Sequence, residues 1–293
     1  MVRYDIAIVG TGPAGLEAAI TAKVRNKNII LFGSAASSEK VFKAHAVRNY
    51  LGLPEVTGEN MQKAFLSHLK AMEIEITEAK AVLIYPMGDY FSIMSSKGNY
   101  EASSVIVAAG TAPAKTYPGE NEYLGRGVSY CATCDAALYK GKKTAIIGFS
   151  PEEEAEADFM TEYASEVLYF PMYKEEVKVR PEVTVIREKP VSIEGRLKVG
   201  KLVTDAGEYE VDGVFILRSS VAPSQLIPGL EMDGGHVKTD RRMATSIEGC
   251  FACGDITGPP YQYIKAAGEG NVAALSAVSW LDQKRRSAQE QAE

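Results

Sequence analysis

YDIAIVGTGPAG, residues Tyr4 to Gly15, decides the fold. Tyr4 to Val9 is an almost unbroken apolar run of strand length, the pattern of a parallel strand covered on both faces. It runs into Gly10-Thr11-Gly12-Pro13-Ala14-Gly15, then a small-residue helix from Leu16 to Ala22, then a second strand at Asn28 to Phe32. G-x-G-x-x-G between a strand and a helix is a dinucleotide fingerprint. Gly10 allows the tight turn, Gly12 lets the backbone approach a pyrophosphate, and Gly15 lets helix and strand pack closely. With Pro13 and Ala14 these residues place the helix N-terminus against an anion. No acid stands at Phe32-Gly33-Ser34 to hold a ribose, so Glu39 or backbone groups are expected to serve.

Further segments narrow the ligand. Ser104 to Gly110 reads as a buried strand ending in the small residues Ala109 and Gly110. Gly249 to Asp255 reads as a strand ending in Gly254-Asp255, followed by Gln262-Tyr263 and a small-residue helix that includes Ala266. These segments resemble the FAD domain of the two-dinucleotide-domain flavoprotein disulfide reductases. The resemblance implies FAD as cofactor. It gives Asp255 the ribityl chain and puts Gln262 through Ala267 at the flavin, with Asn49 at another flavin-side position. The fold class is then α/β with two Rossmann-like domains, the FAD domain discontinuous and the second inserted in it.

Ser129-Tyr130-Cys131-Ala132-Thr133-Cys134-Asp135 carries the chemistry. Two cysteines at C-x-x-C close a small disulfide ring, and a helix opening there favours a thiolate at the first sulfur. Asp135 adds a carboxyl able to move a proton to or from a leaving thiolate. A zinc site shared with Cys250-x-x-Cys253 is the competing reading. The usual spacer between such pairs is about 15–20 residues, and here most of a domain intervenes. The second pair lies on an apolar strand and reads as buried, inert thiols; no metal is expected.

Gly127 to Asp135 closely resembles the active site of low-molecular-weight thioredoxin reductases, and the likeness runs from Tyr4 to about Trp280. It implies that Cys134 lies nearest the flavin, that Cys131 attacks a thioredoxin disulfide, and that Asp135 donates the proton. It also implies a homodimer. It divides the chain into an FAD-binding domain, 1–114 and 240–293, and an inserted NAD(P)-binding-like domain, 115–239. Crossings are expected near Thr111–Pro118 and Gly235–Ala244, stretches rich in Gly, Pro and polar residues.

The inserted domain departs from the pattern. After the strand Thr144 to Ile147, Gly148 keeps the turn glycine, Ser150 replaces the second and Glu153 stands at the third. Glu152, Glu153 and Glu154 crowd the first turn, with Glu156 and Asp158 behind. Acids suit a helix N-terminus and repel a pyrophosphate, at roughly 3 kcal/mol per pair at about 5 Å and an effective dielectric near 20. Beyond the next strand, Lys174-Glu175-Glu176 is no basic clamp for a 2′-phosphate. An intact flavin site and dithiol beside a degenerate nucleotide site resemble the ferredoxin-dependent flavin thioredoxin reductases. Ferredoxin is then the expected donor and thioredoxin the acceptor. An NADPH-dependent reductase with a divergent site is the alternative enzyme; a flavin-binding redox sensor without turnover is the alternative of another class.

Composition fits a soluble enzyme. The net charge of −6 argues against general nucleic-acid binding, and no apolar run reaches the length of a membrane span. A strand already at Tyr4 leaves no room for a secretory signal, so the expected location is cytoplasmic. Ferredoxins are usually acidic, so docking is expected at a basic group: Lys140/Lys142/Lys143, Arg241/Arg242 or Lys284/Arg285/Arg286. Tyr261, Tyr263 and Trp280 are candidate shields for the flavin.

Overall fold

Residues 3–110, 116–218 and 223–290 are described, apart from the side chains of Glu39, Cys134 and Ala288. In the computed structural model the chain forms two compact units, Met1–Ala112 with Ala222–Glu293, and Pro113–Val221.

The first unit opens with strand β1 (Arg3–Val9), helix α1 (Pro13–Val24) and strand β2 (Ile29–Phe32). Helices α2 (Glu39–Phe42) and α3 (Gly58–Ala71) follow, then strands β3 (Ile76–Thr77), β4 (Ala81–Pro86), β5 (Phe91–Ser95) and β6 (Gly98–Val107). The sheet order is β3-β2-β1-β6-β5-β4. The β1–β2 and β1–β6 pairs are parallel, so both neighbours hold the end of β1, and Gly10, in line. Ile6, Ala7 and Ile8 are wholly buried, as their unbroken apolar run requires.

The second unit carries β7 (Val128–Ser129), α4 (Ala132–Asp135), β8 (Lys143–Gly148), α5 (Glu154–Met160), β9 (Glu166–Pro171) and β10 (Val183–Val185). An antiparallel sheet of β11 (Pro190–Gly195), β12 (Val199–Thr204) and β13 (Glu208–Glu210) precedes β14 (Gly213–Leu217). The parallel sheet runs β10-β9-β8-β14-β7, with Tyr169, Phe170 and Phe215 fully buried in its core.

Back in the first unit come α6 (Pro223–Leu226), the hairpin β15 (Met232–Asp233) and β16 (His236–Val237), β17 (Cys250–Ala252) and the long α7 (Tyr263–Glu290). β17 joins the first sheet beside β6, in parallel. Helices α1 and α7 meet along a seam of small residues: a Cβ on Gly270 would lie 2.1 Å from the Ala14 carbonyl oxygen. The second unit ends at Val221, ahead of the expected 235–244 stretch. Gly235, read from sequence as linker, makes the turn of the β15–β16 hairpin together with Gly234, with φ of +87° and +54°. Of the expected first crossing, residues 111–115 lie outside the described residues.

Candidate functional site: a glycine cradle and a disulfide helix

In the first unit, α1 starts at Gly12 with no side-chain cap and no acid in its first turn, so its leading amides are uncommitted. Pro13 opens the helix, where its missing N–H costs nothing. A Cβ on Gly12 would meet nothing within 4 Å, whereas one on Gly15 would lie 1.9 Å from the Gly10 carbonyl oxygen. Gly10 takes φ +118° and has the Ala108 carbonyl 2.2 Å from where its Cβ would be. The three glycines thus play the parts their spacing predicts: a turn, an open approach and a close contact.

The Gly254–Asp255 turn converges on the same place. A Cβ on Gly254 would touch the Cβ of Ala14 at 2.9 Å. Lys40 Nζ stands 3.9 Å from the Asp255 carboxylate, and the Tyr263 hydroxyl donates to the Lys40 carbonyl. Asn49 Nδ2 donates to Gln262 Oε1 at 2.7 Å, which joins two sequence candidates 213 residues apart. Ala266 is buried in the first turn of α7, and Ala109 and Gly110 follow the end of β6. The Glu39 side chain lies outside the described residues.

Two residues of this turn escaped the sequence reading. Glu269 Oε2 accepts both the Gly254 N–H and the Thr257 hydroxyl at 2.9 Å. Lys265 Nζ donates to the carbonyls of Gly254 and Gly258 at 3.0 and 2.8 Å. Their i,i+4 spacing on a helix was the available signal. Trp280 does not shield this site: its ring packs on Gly249, at the opposite end of β17 from Gly254.

The dithiol segment lies in the second unit. β7 delivers Tyr130 and Cys131 to the start of α4. Cys131 is 2% exposed and disulfide-bonded. Cys250 and Cys253 are free and buried; burial pushes the Cys250 thiol up to about 12 and raises that of Cys253 as well. The chain has four cysteines. The Cys134 side chain lies outside the described residues. Ser129 Oγ accepts the Cys131 N–H at 3.2 Å and donates to Asp135 Oδ2 at 2.7 Å. One hydroxyl thereby ties the backbone of the first cysteine to the proposed acid, a role the sequence reading missed.

Behind this helix sits a buried ion pair. Arg218 Nη1 and Nη2 reach Glu120 Oε1 and Oε2 at 2.6 and 3.0 Å, with Glu120 wholly buried and Arg218 7% exposed. The Tyr130 hydroxyl also donates to Glu120, and burial followed by that carboxylate raises its phenol far above the ordinary value. The Arg218 guanidinium lies 5.1 Å from the ring of Phe149 and 5.7 Å from that of Tyr117.

The second glycine turn is filled by the chain itself. A Cβ on Gly148 would fall 2.2 Å from the Tyr169 hydroxyl, and Phe149 lies against Arg218. Ser150 starts a 3-10 turn, Pro151–Glu153, and its Oγ is buried with no hydrogen-bond partner. Glu153 and Glu154 are buried, while Glu152 is exposed. Glu154 accepts from the Tyr173 hydroxyl and the Lys178 N–H, and Asp158 accepts from the Arg180 N–H. The acids hold down the loop after β9. Burial pushes the Tyr169 phenol up to about 12 and raises that of Tyr173 further.

Residues 4–270 match the family model of the pyridine nucleotide-disulphide oxidoreductases. The chain belongs to that family. Within it, the chain is 32% identical to the thioredoxin reductase of Aquifex aeolicus over 97% of its own length and 95% of the relative's. Among solved structures, a ferredoxin-flavin thioredoxin reductase from Clostridium acetobutylicum matches with a TM-score of 0.88 and 52% identity, covering 97% of this chain and 99% of that one. A thioredoxin reductase from Gloeobacter violaceus matches with 0.78 and 27%, covering 96% and 95%. Members of this family are FAD-binding flavoproteins, and the thioredoxin reductases it resembles are oxidoreductases acting on a protein disulfide, built from two Rossmann-like domains. The cradle at Gly10–Gly15 fits that cofactor: open backbone amides, no acid in the first turn, and a Gly-Asp turn packed against Ala14. Among the described residues no group of three or more His, Cys, Asp or Glu is placed to hold a metal ion, and no helix is long and apolar enough to cross a membrane.

Proposed function

We propose that the protein reduces thioredoxin through FAD and the Cys131/Cys134 pair, draws its electrons from ferredoxin and makes no use of NAD(P)H. One observation carries this reading: the first glycine turn is open, while the second is occupied by Tyr169, Phe149, Arg218 and buried glutamates. The likeness to the Clostridium acetobutylicum ferredoxin-flavin enzyme supports the same donor. The first unit, Met1–Ala112 with Ala222–Glu293, is assigned to FAD, with Gly10, Gly12, Pro13, Ala14, Gly15, Glu39, Asn49, Ala109, Gly110, Gly254, Asp255, Gln262, Tyr263 and Ala266 as its contacts; the second unit, Pro113–Val221, carries the dithiol. A cytoplasmic homodimer completes the assignment.

FAD held at the Gly10–Gly15 cradle would supply the conversion of single electrons into a pair. This chain's own residues do the rest. Two electrons and two protons convert the Cys131–Cys134 disulfide to a dithiol. Cys131 then attacks the thioredoxin disulfide, Cys134 resolves the mixed disulfide, and thioredoxin leaves as its dithiol. Asp135, oriented by Ser129, donates the proton to the leaving thiolate. Of the basic groups considered for docking, Lys142 bonds the Leu138 carbonyl, Lys143 pairs with Glu166, and Arg285 pairs with Asp5. Arg241/Arg242 is therefore the first place to test ferredoxin binding by charge reversal.

The deciding experiment is an anaerobic titration followed by the flavin's visible absorbance. Reduced ferredoxin is expected to bleach it and NADPH or NADH to leave it oxidised. Stoichiometric bleaching by a nicotinamide at a turnover rate would overturn the proposal.

A further inference from the structure

The acids of α5 do not all face one way. Glu154 and Asp158 hold the loop after β9, but Glu156 reaches the dithiol helix: its Oε2 accepts the Ala132 N–H at 2.8 Å. Ala132 is the first residue of α4 and the immediate neighbour of Cys131. The opening amides of a CxxC helix ordinarily favour a thiolate at the first cysteine. Here the first of them is bonded to a carboxylate, whose charge acts with the opposite sign. Cys131 is nearly inaccessible, and Glu156 and Asp135 are themselves partly buried, so solvent screens this charge only in part. Cys131 Sγ also lies 3.2 Å from the Thr133 hydroxyl, a neutral contact.

We propose that Glu156 is a positioning residue for the redox pair: it fixes the start of the CxxC helix, and its charge makes the Cys131/Cys134 couple more strongly reducing. The inference rests on the reading of that pair as redox-active. Reduction of the disulfide takes up two electrons and leaves either two thiols or, one proton short, a thiol and a thiolate. A carboxylate beside the helix start penalises the form that keeps negative charge on sulfur. The neutral disulfide is not penalised. The balance therefore tips toward giving the electron pair to thioredoxin.

The test separates charge from capping. Glu156→Gln keeps an oxygen able to accept the Ala132 N–H and removes the charge. The flavin-loaded enzyme is equilibrated anaerobically with mixtures of reduced and oxidised dithiothreitol at neutral pH. The reduced fraction of Cys131/Cys134 is then read by alkylation and mass. The expected result is a shift of about tenfold toward the dithiol in the variant, which is about 30 mV for a two-electron couple. Faster alkylation of the reduced variant should accompany it. Glu156→Ala should show the same shift together with a lower melting temperature. A Glu156→Gln equilibrium within about twofold of wild type, or shifted toward the disulfide, would overturn the proposal and leave Glu156 as a helix cap. If the wild-type pair fails to equilibrate at all, the redox-pair reading itself falls, and this proposal with it.

Discussion

The chain contains two strand–glycine–helix turns, Gly10–Gly15 and Gly148–Glu153, and they differ in what occupies the space above the helix. At the first, nothing lies within 4 Å of a Cβ on Gly12, and no acid enters the first turn. At the second, Ser150 stands where Gly12 does, its Oγ buried and unbonded, and large side chains pack around the turn. Arg218 lies over Phe149, Tyr169 lies against Gly148, and Glu153 and Glu154 are buried. A dinucleotide site therefore needs more than glycines. It needs the surrounding side chains to leave the helix amides unspent.

The comparison breaks most sharply at Gly15. Gly15→Val drives side-chain atoms into the Gly10 carbonyl, and the protein should purify without flavin, seen as loss of its visible absorbance. Retention of full FAD would remove the first turn from the binding site. Next, Arg218→Ala strands the buried Glu120 carboxylate and should cost about 3–5 kcal/mol in urea unfolding of the second unit. Glu120→Gln in the same background should recover part of that loss. Glu154→Ala removes the carboxylate that accepts from the Tyr173 hydroxyl and the Lys178 N–H, and a loss of about 1–3 kcal/mol is expected by the same measurement. The mildest change, Ser150→Gly, restores one glycine and should alter stability by less than about 1 kcal/mol without conferring reduction by NADPH. NADPH-driven bleaching in that variant would mean that one residue separates the two turns.

The buried thiols offer an independent check. Burial raises both Cys250 and Cys253, so each stays a neutral, unreactive thiol at pH 8, well below its titration range. Reduced native enzyme should leave Cys250 and Cys253 unmodified by an alkylating reagent at pH 8 until it is denatured.

What the sequence revealed was local. Gly10–Gly15, the strand at Tyr4–Val9 and the Cys131–Asp135 segment each sit within a dozen residues, and spacing alone assigns their geometry. Asn49 and Gln262 came instead from family likeness, and the structure joins them. The Glu120–Arg218 pair escaped notice because its members are 98 residues apart and carry no periodic signal. Glu156 was visible as one acid among five, but nothing in the run told which carboxylate faces α4 and which faces the loop after β9. The second crossing was misplaced because a glycine such as Gly235 signals a turn equally well in a hairpin and in a linker.

Gly148 has a consequence for how this protein can change. Its lack of a side chain is now required by Tyr169, whose hydroxyl sits 2.2 Å from where a Cβ would be. The glycine persists under a new constraint, and so do the side chains around it. Reopening the turn to a nucleotide would mean shrinking Tyr169, withdrawing Arg218 from Phe149 and releasing Glu154 from Tyr173, and the first steps destabilise the domain before any ligand is gained. The filled turn works as a ratchet: each change at Tyr169, Arg218 or Glu154 costs stability before a nucleotide gains a place to bind.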